Sequence, residues 1–393
     1  MTTEIKNGIV LMPDGSLDNC SVCIENDKIK GFDIPGDRVI NANGNYILPG
    51  IVDIHGDGFE RVIMPRYNSM MPYDIALNEA DHQIIANGIT TAYYGITITW
   101  EKFKPLRNDR EARNFLDFFT EHKTKLKSRS MVHLRYEIYH TIALNWIKES
   151  LEKGKIDFIS FNDHLDYIES ELNNQSKFLQ YSESLGLSPQ DTKIFLKTLH
   201  EKKQEALEVV VEIANFSNNI NIPTASHDEE TESTRLWYHK QQCHISEFPC
   251  NMETAIKAEA LGDWVVLGAP NALKGTSLYN RISARQAIQE GVCHILASDY
   301  YYPSLLQIAF KLEQWGIMDL PKAWNLISAN PAQACGLEDR GCLSEGMSAD
   351  IIIVESNNKT VQCALTLVQG DIVYNNTQII ASQTPSMLEK NYA

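Results

Sequence analysis

The chain has 393 residues, of which 43% are hydrophobic and 22% charged, with a formal net charge of −16. This length suits a barrel of about 250 residues with an accessory domain, and the acidic balance argues against nucleic-acid binding, which needs a basic surface. No apolar run approaches the roughly 20 residues of a membrane span, and residues 1–6 do not resemble a signal peptide, so we expect a cytoplasmic protein without a membrane partner.

Both ends of the chain have the pattern of short strands and turns. Residues 8–11 and 21–24 are rich in β-formers and are separated by turn residues, and residues 349–354 and 370–374 repeat this style. Neither end is long enough to close a core alone. We therefore predict that residues 1–48 and 340–393 pair into one small β-sandwich domain.

Residues 49–339 have a different pattern, in which short apolar segments alternate with longer helical ones. This alternation is typical of parallel βα units and predicts an α/β fold with a (β/α)8 barrel. A polar stretch at 169–214, rich in helix formers, predicts a helical insertion over the barrel mouth. The predicted strands lie at 51–54, 90–94, 132–136, 156–161, 224–226, 264–267 and 295–297.

Polar residues recur where these predicted strands end. His55 and Asp57 follow the first strand, two positions apart, so that both face the same side. The carboxyl ends of barrel strands meet at one mouth, which brings groups that are distant in sequence together. The other candidates, in chain order, are Glu137, His164, His227 and Asp299.

These six residues supply three imidazoles and three carboxylates, the ligands of zinc, manganese or iron at catalytic sites. Taken singly, each is more often a core or capping residue than a ligand. Their joint occurrence at successive strand ends favours a metal site, and six ligands suit two ions about 3.5–4 Å apart better than one. Of the other histidines, His239 is predicted to be solvated, and His244 stays unassigned.

Several motifs support a family resemblance. Residues 48–55 (LPGIVDIH) resemble the first barrel strand of the amidohydrolase superfamily, in which His-x-His is usual, whereas this chain has His55-Gly56-Asp57. Further motifs follow in the chain, at 134–137 (LRYE), 163–164 (DH), 225–228 (ASHD), 247–249 (EFP), 268–271 (GAPN) and 297–301 (ASDYY). These motifs in this order, together with the His-x-Asp variant, resemble the PhnM family over residues 8–375.

The resemblance implies a diphosphatase of the carbon–phosphorus lyase pathway, which releases pyrophosphate from a ribose phosphonate triphosphate. It implies that Glu137 bridges two divalent ions. In a hydrolase with such a centre, Asp299 is the candidate to accept a proton and pass it to the leaving group. The resemblance further implies that His55, Asp57 and Asp299 hold one ion while His164 and His227 hold the other. A homo-oligomer is expected, since dimers and tetramers are common in this fold family.

Three mouth loops differ from the family pattern, at residues 55–61, 165–169 and 275–281. Because such loops set substrate choice, two alternatives stay open: hydrolysis of a cyclic amide, ester or amine at the same centre, and a non-enzymatic interaction protein. For an anionic, phosphorylated substrate, Arg66, Lys274 and Arg281 are candidates to hold phosphates. The alternative for each is a solvated surface cation.

Overall fold

The two ends of the chain build two β-sheets around one apolar core. The computed structural model describes residues 2–276, 281–356, 361–376 and 382–383. The strands are β1 (Thr2–Lys6), β2 (Ile9–Leu11), β3 (Leu17–Asp18), β4 (Val22–Glu25), β5 (Lys28–Phe32), β6 (Arg38–Asn41), β7 (Tyr46–Pro49), β16 (Ile351–Ser356), β17 (Val361–Val368), β18 (Asp371–Asn375) and β19 (Ser382–Gln383). One sheet has the order β19-β6-β1-β4-β5 and the other β18-β17-β16-β7-β2-β3.

Buried aliphatic side chains from both ends, such as Ile5, Ile47 and Ile353, share the core between these sheets. The strand β16 pairs antiparallel with β7, with Ile351 opposite Pro49. The prediction that both ends contribute to one β-sandwich is therefore confirmed as part of the fold.

The segment between the two chain ends forms an eight-stranded sheet in which sequential strands are parallel neighbours. This arrangement confirms the predicted (β/α)8 barrel. The seven predicted strands are present, and an eighth, of only three residues, was not predicted. The barrel strands are β8 (Ile51–Gly56), β9 (Ile89–Ile98), β10 (Arg129–Glu137), β11 (Phe158–Asn162), β12 (Thr224–His227), β13 (Ile245–Glu247), β14 (Trp264–Gly268) and β15 (Ile295–Ala297).

The first and last barrel strands are joined by a buried carboxylate. Asp53 is fully buried and accepts hydrogen bonds from the backbone N–H and the hydroxyl of Ser298, at 3.1 and 2.5 Å. Burial raises the pKa of Asp53 to about 6, although the bonds from Ser298 oppose this. Beyond it, Asp299 N–H donates to the His55 carbonyl and Asp57 N–H to the Asp299 carbonyl, both at 2.9 Å. The two strand ends are thus aligned by backbone bonds.

Helices connect the strands, and several begin at a side-chain cap. Asn108, Ser188 and Asn251 each accept a backbone N–H three residues on. In the described part of the chain, no helix is long and apolar enough to cross a membrane. The helices are α1 (Phe59–Ile63), α2 (Tyr73–Ala86), α3 (Asp109–His122), α4 (Leu144–Glu152), α5 (Leu165–Glu171), α6 (Gln175–Leu185), α7 (Pro189–Glu201), α8 (Lys203–Asn219), α9 (Glu232–Lys240), α10 (Met252–Ala260), α11 (Ala269–Lys274), α12 (Ala284–Gln289), α13 (Pro303–Gln314), α14 (Leu320–Asn325) and α15 (Ala329–Ala334).

One buried indole ties the segment that enters the barrel to a late helix. Trp324 has no exposed surface, and its Nε1–H donates to the Pro49 carbonyl at 3.0 Å. We expect Trp324→Ala to lower the free energy of unfolding by about 3–5 kcal/mol, since it leaves a cavity and an unpaired carbonyl. Thermal and urea unfolding measure this effect. Trp315→Ala, at a 39% exposed position, is the control; equal losses for both variants would contradict the packing argument.

Candidate metal centre

Glu137, His164 and His227 lie together at the barrel mouth. Glu137 and His227 are the last residues of β10 and β12, and His164 follows β11 by two positions. Glu137 Oε1 lies 2.6 Å from His164 Nδ1. Asp228, the residue after β12, lies with its Oδ2 3.2 Å from His164 Nε2 and 3.4 Å from His227 Nδ1. The neighbouring strand ends therefore produce a compact group of two imidazoles and two carboxylates.

A second group lies on the other side of His227. His55 Nδ1 is 3.0 Å from Glu247 Oε1, and the rings of His55 and His227 are 5.5 Å apart. Glu247 has no exposed surface and also lies 3.5 Å from the buried ring of His133. His227 belongs to both groups: one ligand atom each from His55, His227 and Glu247 lie within 4.8 Å of one another, and so do those of His164, His227 and Asp228.

Glu247 was missed by the sequence analysis. It ends a strand of three residues, which is too short to give a clear alternation of apolar and polar positions. The signal that could have found it is its place in the Glu247-Phe248-Pro249 motif, where a carboxylate ends an apolar segment as Glu137 does.

The remaining two predicted ligands have different surroundings. Asp57 Oδ2 lies 3.4 Å from Arg135 Nη1 and 3.6 Å from Arg107 Nη2, so this carboxylate pairs with two cations. Asp299 lines a cavity together with His55, Arg135 and other residues. The structure thus places all six predicted ligands at one mouth. Arg135 lies between Asp57 and His227, and its Nη2 is 3.3 Å from His227 Nε2.

Backbone conformation shows that the mouth is held in a costly arrangement. Asp228, Phe248 and Asp299 follow the ends of three barrel strands and have positive φ angles of 59°, 52° and 54°. Side chains other than glycine rarely adopt this left-handed region, which costs about 1–3 kcal/mol per residue and persists where surrounding contacts enforce it. Such residues cluster at functional sites.

The pKa values of His164, His55 and Asp299 at the mouth are shifted in different directions. Although burial opposes it, Glu137 and Asp228 raise the pKa of His164 to about 10. His55 behaves in the opposite way: burial, Arg135 and His227 hold its pKa well below the ordinary value, so it remains a neutral imidazole. Burial and the charge of Asp57 raise the pKa of Asp299 to about 7, which places its proton exchange near neutral pH.

Two cavities meet at this centre. The first is lined in part by Phe248, Leu267 and Ile282, and the second by Lys104, Arg107 and other polar residues. Both are bordered by Arg135, Asp228 and Arg281, and the last two form an ion pair.

The three side chains predicted to bind phosphate differ in whether they line a cavity at the mouth. Lys274 and Arg281 line the first cavity. Arg66 is exposed and lines neither of these two cavities. The loop at 275–281, which follows Lys274 and ends at Arg281, was singled out for its departure from the family pattern, and its residues 277–280 lie outside the described ranges.

Comparison with known proteins agrees with this architecture. A family model described as "Amidohydrolase family" matches residues 315–374. The alpha-D-ribose 1-methylphosphonate 5-triphosphate diphosphatase of Escherichia coli (strain K12) is 27% identical over 383 residues, which cover 94% of this chain and 100% of that protein. The chain is thus PhnM-like, with similarity to this diphosphatase over nearly its whole length. The family resemblance drawn from its motifs is thereby confirmed.

Other relatives of this PhnM-like protein match more locally or only in fold. A dihydroorotase of Lactobacillus helveticus is 49% identical over 57 residues, 14% of this chain and 13% of that protein. Among solved structures, N-acetylglucosamine-6-phosphate deacetylase from Pasteurella multocida has a TM-score of 0.64 at 11% identity, covering 95% of this chain and 100% of that one. A 5-methylcytosine deaminase from Klebsiella pneumoniae has a TM-score of 0.62 at 13% identity, covering 96% and 99%. These low-identity likenesses show the fold.

A PhnM-like amidohydrolase is a metal-dependent hydrolase, and this mouth fits a divalent metal centre. Glu137 Oε2, Glu247 Oε2 and His227 Nδ1 are buried and have no hydrogen-bond partner. Buried polar atoms are normally paired, so unpaired carboxylate and imidazole atoms in one cluster are suited to a cation. Nitrogen and oxygen donors of this kind match zinc and similar ions.

Proposed function

We propose that this protein is a phosphoanhydride hydrolase that releases pyrophosphate from an anionic sugar triphosphate. The observation that carries the proposal is the position of the histidine–carboxylate cluster, which opens onto a cavity lined by Lys104, Arg107, Arg135 and Arg281. A phosphate chain brings several negative charges and needs such cations around it. The name of the full-length E. coli relative, a diphosphatase of a ribose methylphosphonate triphosphate, supports the same substrate class.

In this proposal two divalent ions, zinc first and manganese or iron as alternatives, are held by the six predicted ligands. When bound, such ions supply Lewis acidity and lower the pKa of water. The ligands are His55, Asp57, Glu137, His164, His227 and Asp299.

Glu247 orients one ligand. Its carboxylate accepts the Nδ1–H of His55 at 3.0 Å, which leaves His55 Nε2 as the nitrogen with a free lone pair. Burial of both groups keeps this hydrogen bond away from water. Glu247 is therefore a positioning residue for His55.

Asp299 is proposed to transfer protons. It lines the mouth cavity beside His55 and Arg135, where a water bound at the centre can reach its carboxylate. Asp299 accepts the proton of the attacking water, and a proton then passes from it to the oxygen of the leaving pyrophosphate. The bond that breaks is the phosphoanhydride P–O bond, and the new P–O bond forms to the water oxygen.

Arg107 and Arg135 are proposed to stabilise charge on the phosphates. Arg135 is 7% exposed and lines both cavities at the mouth, so its guanidinium can contact a phosphate bound there. Arg107 is held by Glu60, which accepts from its Nε at 3.0 Å and from its Nη2 at 2.6 Å. Fixed guanidinium groups bind phosphate with little loss of conformational freedom.

The proposal is tested with a substrate panel. Purified protein with added zinc or manganese is assayed on sugar and nucleoside triphosphates and on cyclic amides, with release of pyrophosphate and opening of the ring as the two readouts. We expect pyrophosphate and a monophosphate product and no ring opening. Amide hydrolysis without pyrophosphate release would instead establish the alternative of a cyclic-amide hydrolase.

Arg281 and Arg66 allow a matched comparison, because both were predicted to bind phosphate but only Arg281 lines a cavity at the centre. We expect Arg281→Gln to raise the KM for a triphosphate about 10- to 100-fold, because a charged hydrogen bond contributes about 1.5–3 kcal/mol. Arg66→Gln, at an exposed position outside the two cavities, is expected to leave KM unchanged. Steady-state kinetics measures both variants, and equal effects would contradict the assignment of Arg281 to the substrate.

A further inference from the structure

A second histidine–carboxylate cluster lies at the opposite end of the barrel. His244 immediately precedes β13, and Asp263 immediately precedes the neighbouring parallel strand β14. His239 lies in the last turn of α9. Because the candidate metal centre lies at the carboxyl ends of these strands, this cluster at their amino ends belongs to a different site. The function proposed above does not use it.

The three side chains converge on one carboxylate. His239 Nδ1 lies 2.9 and 3.0 Å from the two oxygens of Asp263, and His244 Nδ1 lies 2.9 Å from Oδ1. One ligand atom from each residue lies within 4.8 Å of the other two. The tetrahedral edge of a zinc site with bonds of about 2.0–2.1 Å is about 3.3 Å, so an ion needs only small shifts of these atoms to fit between them.

Backbone hydrogen bonds fix the segments that carry these ligands. Trp264 N–H donates to the His244 carbonyl at 2.8 Å, and Gln242 N–H donates to the His239 carbonyl at 2.9 Å. Asp263 has no exposed surface, whereas the side chains of His239 and His244 are 28% and 55% exposed. The cluster thus has a rigid, buried carboxylate and two imidazoles that solvent can reach, which leaves an open side for a water ligand.

Asp263 shares its buried guanidinium partner, Arg235, with another carboxylate. Arg235 is fully buried and faces two carboxylates, Glu229 at 2.7 Å and Asp263 at 3.3 Å. A buried carboxylate that shares its guanidinium partner with Glu229 is suited to contact a cation as well.

We propose that His239, His244 and Asp263 form a peripheral binding site for one zinc-class divalent ion, with water as the fourth ligand. Two imidazole nitrogens and one carboxylate oxygen are a common donor set for zinc, and the same donors bind Ni²⁺ and Cu²⁺. Calcium and magnesium prefer all-oxygen surroundings and are excluded by this donor set. The bound ion links the end of α9 to the starts of two barrel strands.

The test counts zinc ions on the intact, metal-loaded protein. Equilibrium dialysis at pH 7.5 against micromolar zinc, followed by metal analysis, compares the wild type with His239→Ala/His244→Ala. We expect the double variant to hold one equivalent less, with unchanged hydrolase activity and more than tenfold weaker binding of that ion. His82→Ala, which removes another exposed imidazole, is the matched control and is expected to keep the wild-type stoichiometry.

Measurements of thermal stability and of circular dichroism distinguish loss of zinc binding from loss of folding. Zinc added to the metal-loaded protein is expected to raise the melting temperature of the wild type and of His82→Ala, but not that of the double variant. Circular dichroism of the double variant confirms its folded state. Equal zinc stoichiometry in the wild type and a folded double variant would overturn the proposal and leave the cluster as a pair of hydrogen-bonded imidazoles.

Discussion

Replacing Asp299 by asparagine is expected to lower kcat by about 10²- to 10⁴-fold, the usual contribution of a general acid–base group. Asparagine keeps the size of the side chain and one oxygen, but it cannot accept and release a proton. The backbone of Asp299 is held by its bonds to His55 and Asp57, so the variant is expected to fold, and its amide oxygen can still contact the ion that Asp299 is proposed to hold. Steady-state kinetics and metal analysis on the same preparation give the two quantities.

Asp117→Asn is the control for this substitution. Asp117 is a 58% exposed carboxylate that pairs with Lys155 on the surface, so the loss of its charge is expected to leave kcat unchanged. A kcat for Asp299→Asn within threefold of the wild type, with metal retained, would show that another group transfers the proton.

His227→Ala is expected to have the broadest effect on metal binding, since a ligand atom of this imidazole lies within 4.8 Å of one from His55 and of one from His164, which belong to different ions in the proposed centre. Both ions of the proposed centre should bind more weakly, and hydrolysis should fall to background. His55→Ala removes a ligand from one group only and should weaken one ion more than the other. Dialysis against a chelator of graded concentration, followed by metal analysis, distinguishes the two patterns.

His82→Ala again provides a histidine control, as this exposed side chain lies on α2. A His227→Ala protein that keeps two tightly bound ions would remove His227 from the proposed ligand set. Loss of both ions from His55→Ala would show instead that the two positions are occupied only together.

Much of the mouth could be predicted because its residues obey a local pattern. His55, Glu137 and His227 each end an apolar segment, and in a parallel barrel all such ends meet, whatever their separation in sequence. The pattern required no knowledge of which strands are neighbours. The same reasoning identified the fold, since each strand–helix alternation is visible within about 30 residues.

What could not be predicted depends on contacts between distant segments. Arg135 precedes Glu137 by two positions and therefore faces the same side of β10, but a cation inside a predicted metal site has no local signature. Arg107 is positioned by Glu60, 47 residues earlier in the chain. Arg66 lies near the first strand in sequence, yet the path of its loop leaves it exposed. Loop cations are placed by long-range packing that residue spacing does not encode.

The hydrogen bonds between Asp53 and Ser298 span 245 residues. Because of this separation, the barrel can close only late in synthesis of the chain. A nascent polypeptide that still lacks its last barrel strand already carries His55, His164 and His227, but its ring of strands is open and His55 has no bond to hold it beside Asp299. Ions captured at that stage would meet a centre that still lacks Asp299. The full set of proposed ligands therefore becomes available only after the chain has been synthesised through Asp299, residue 299 of 393.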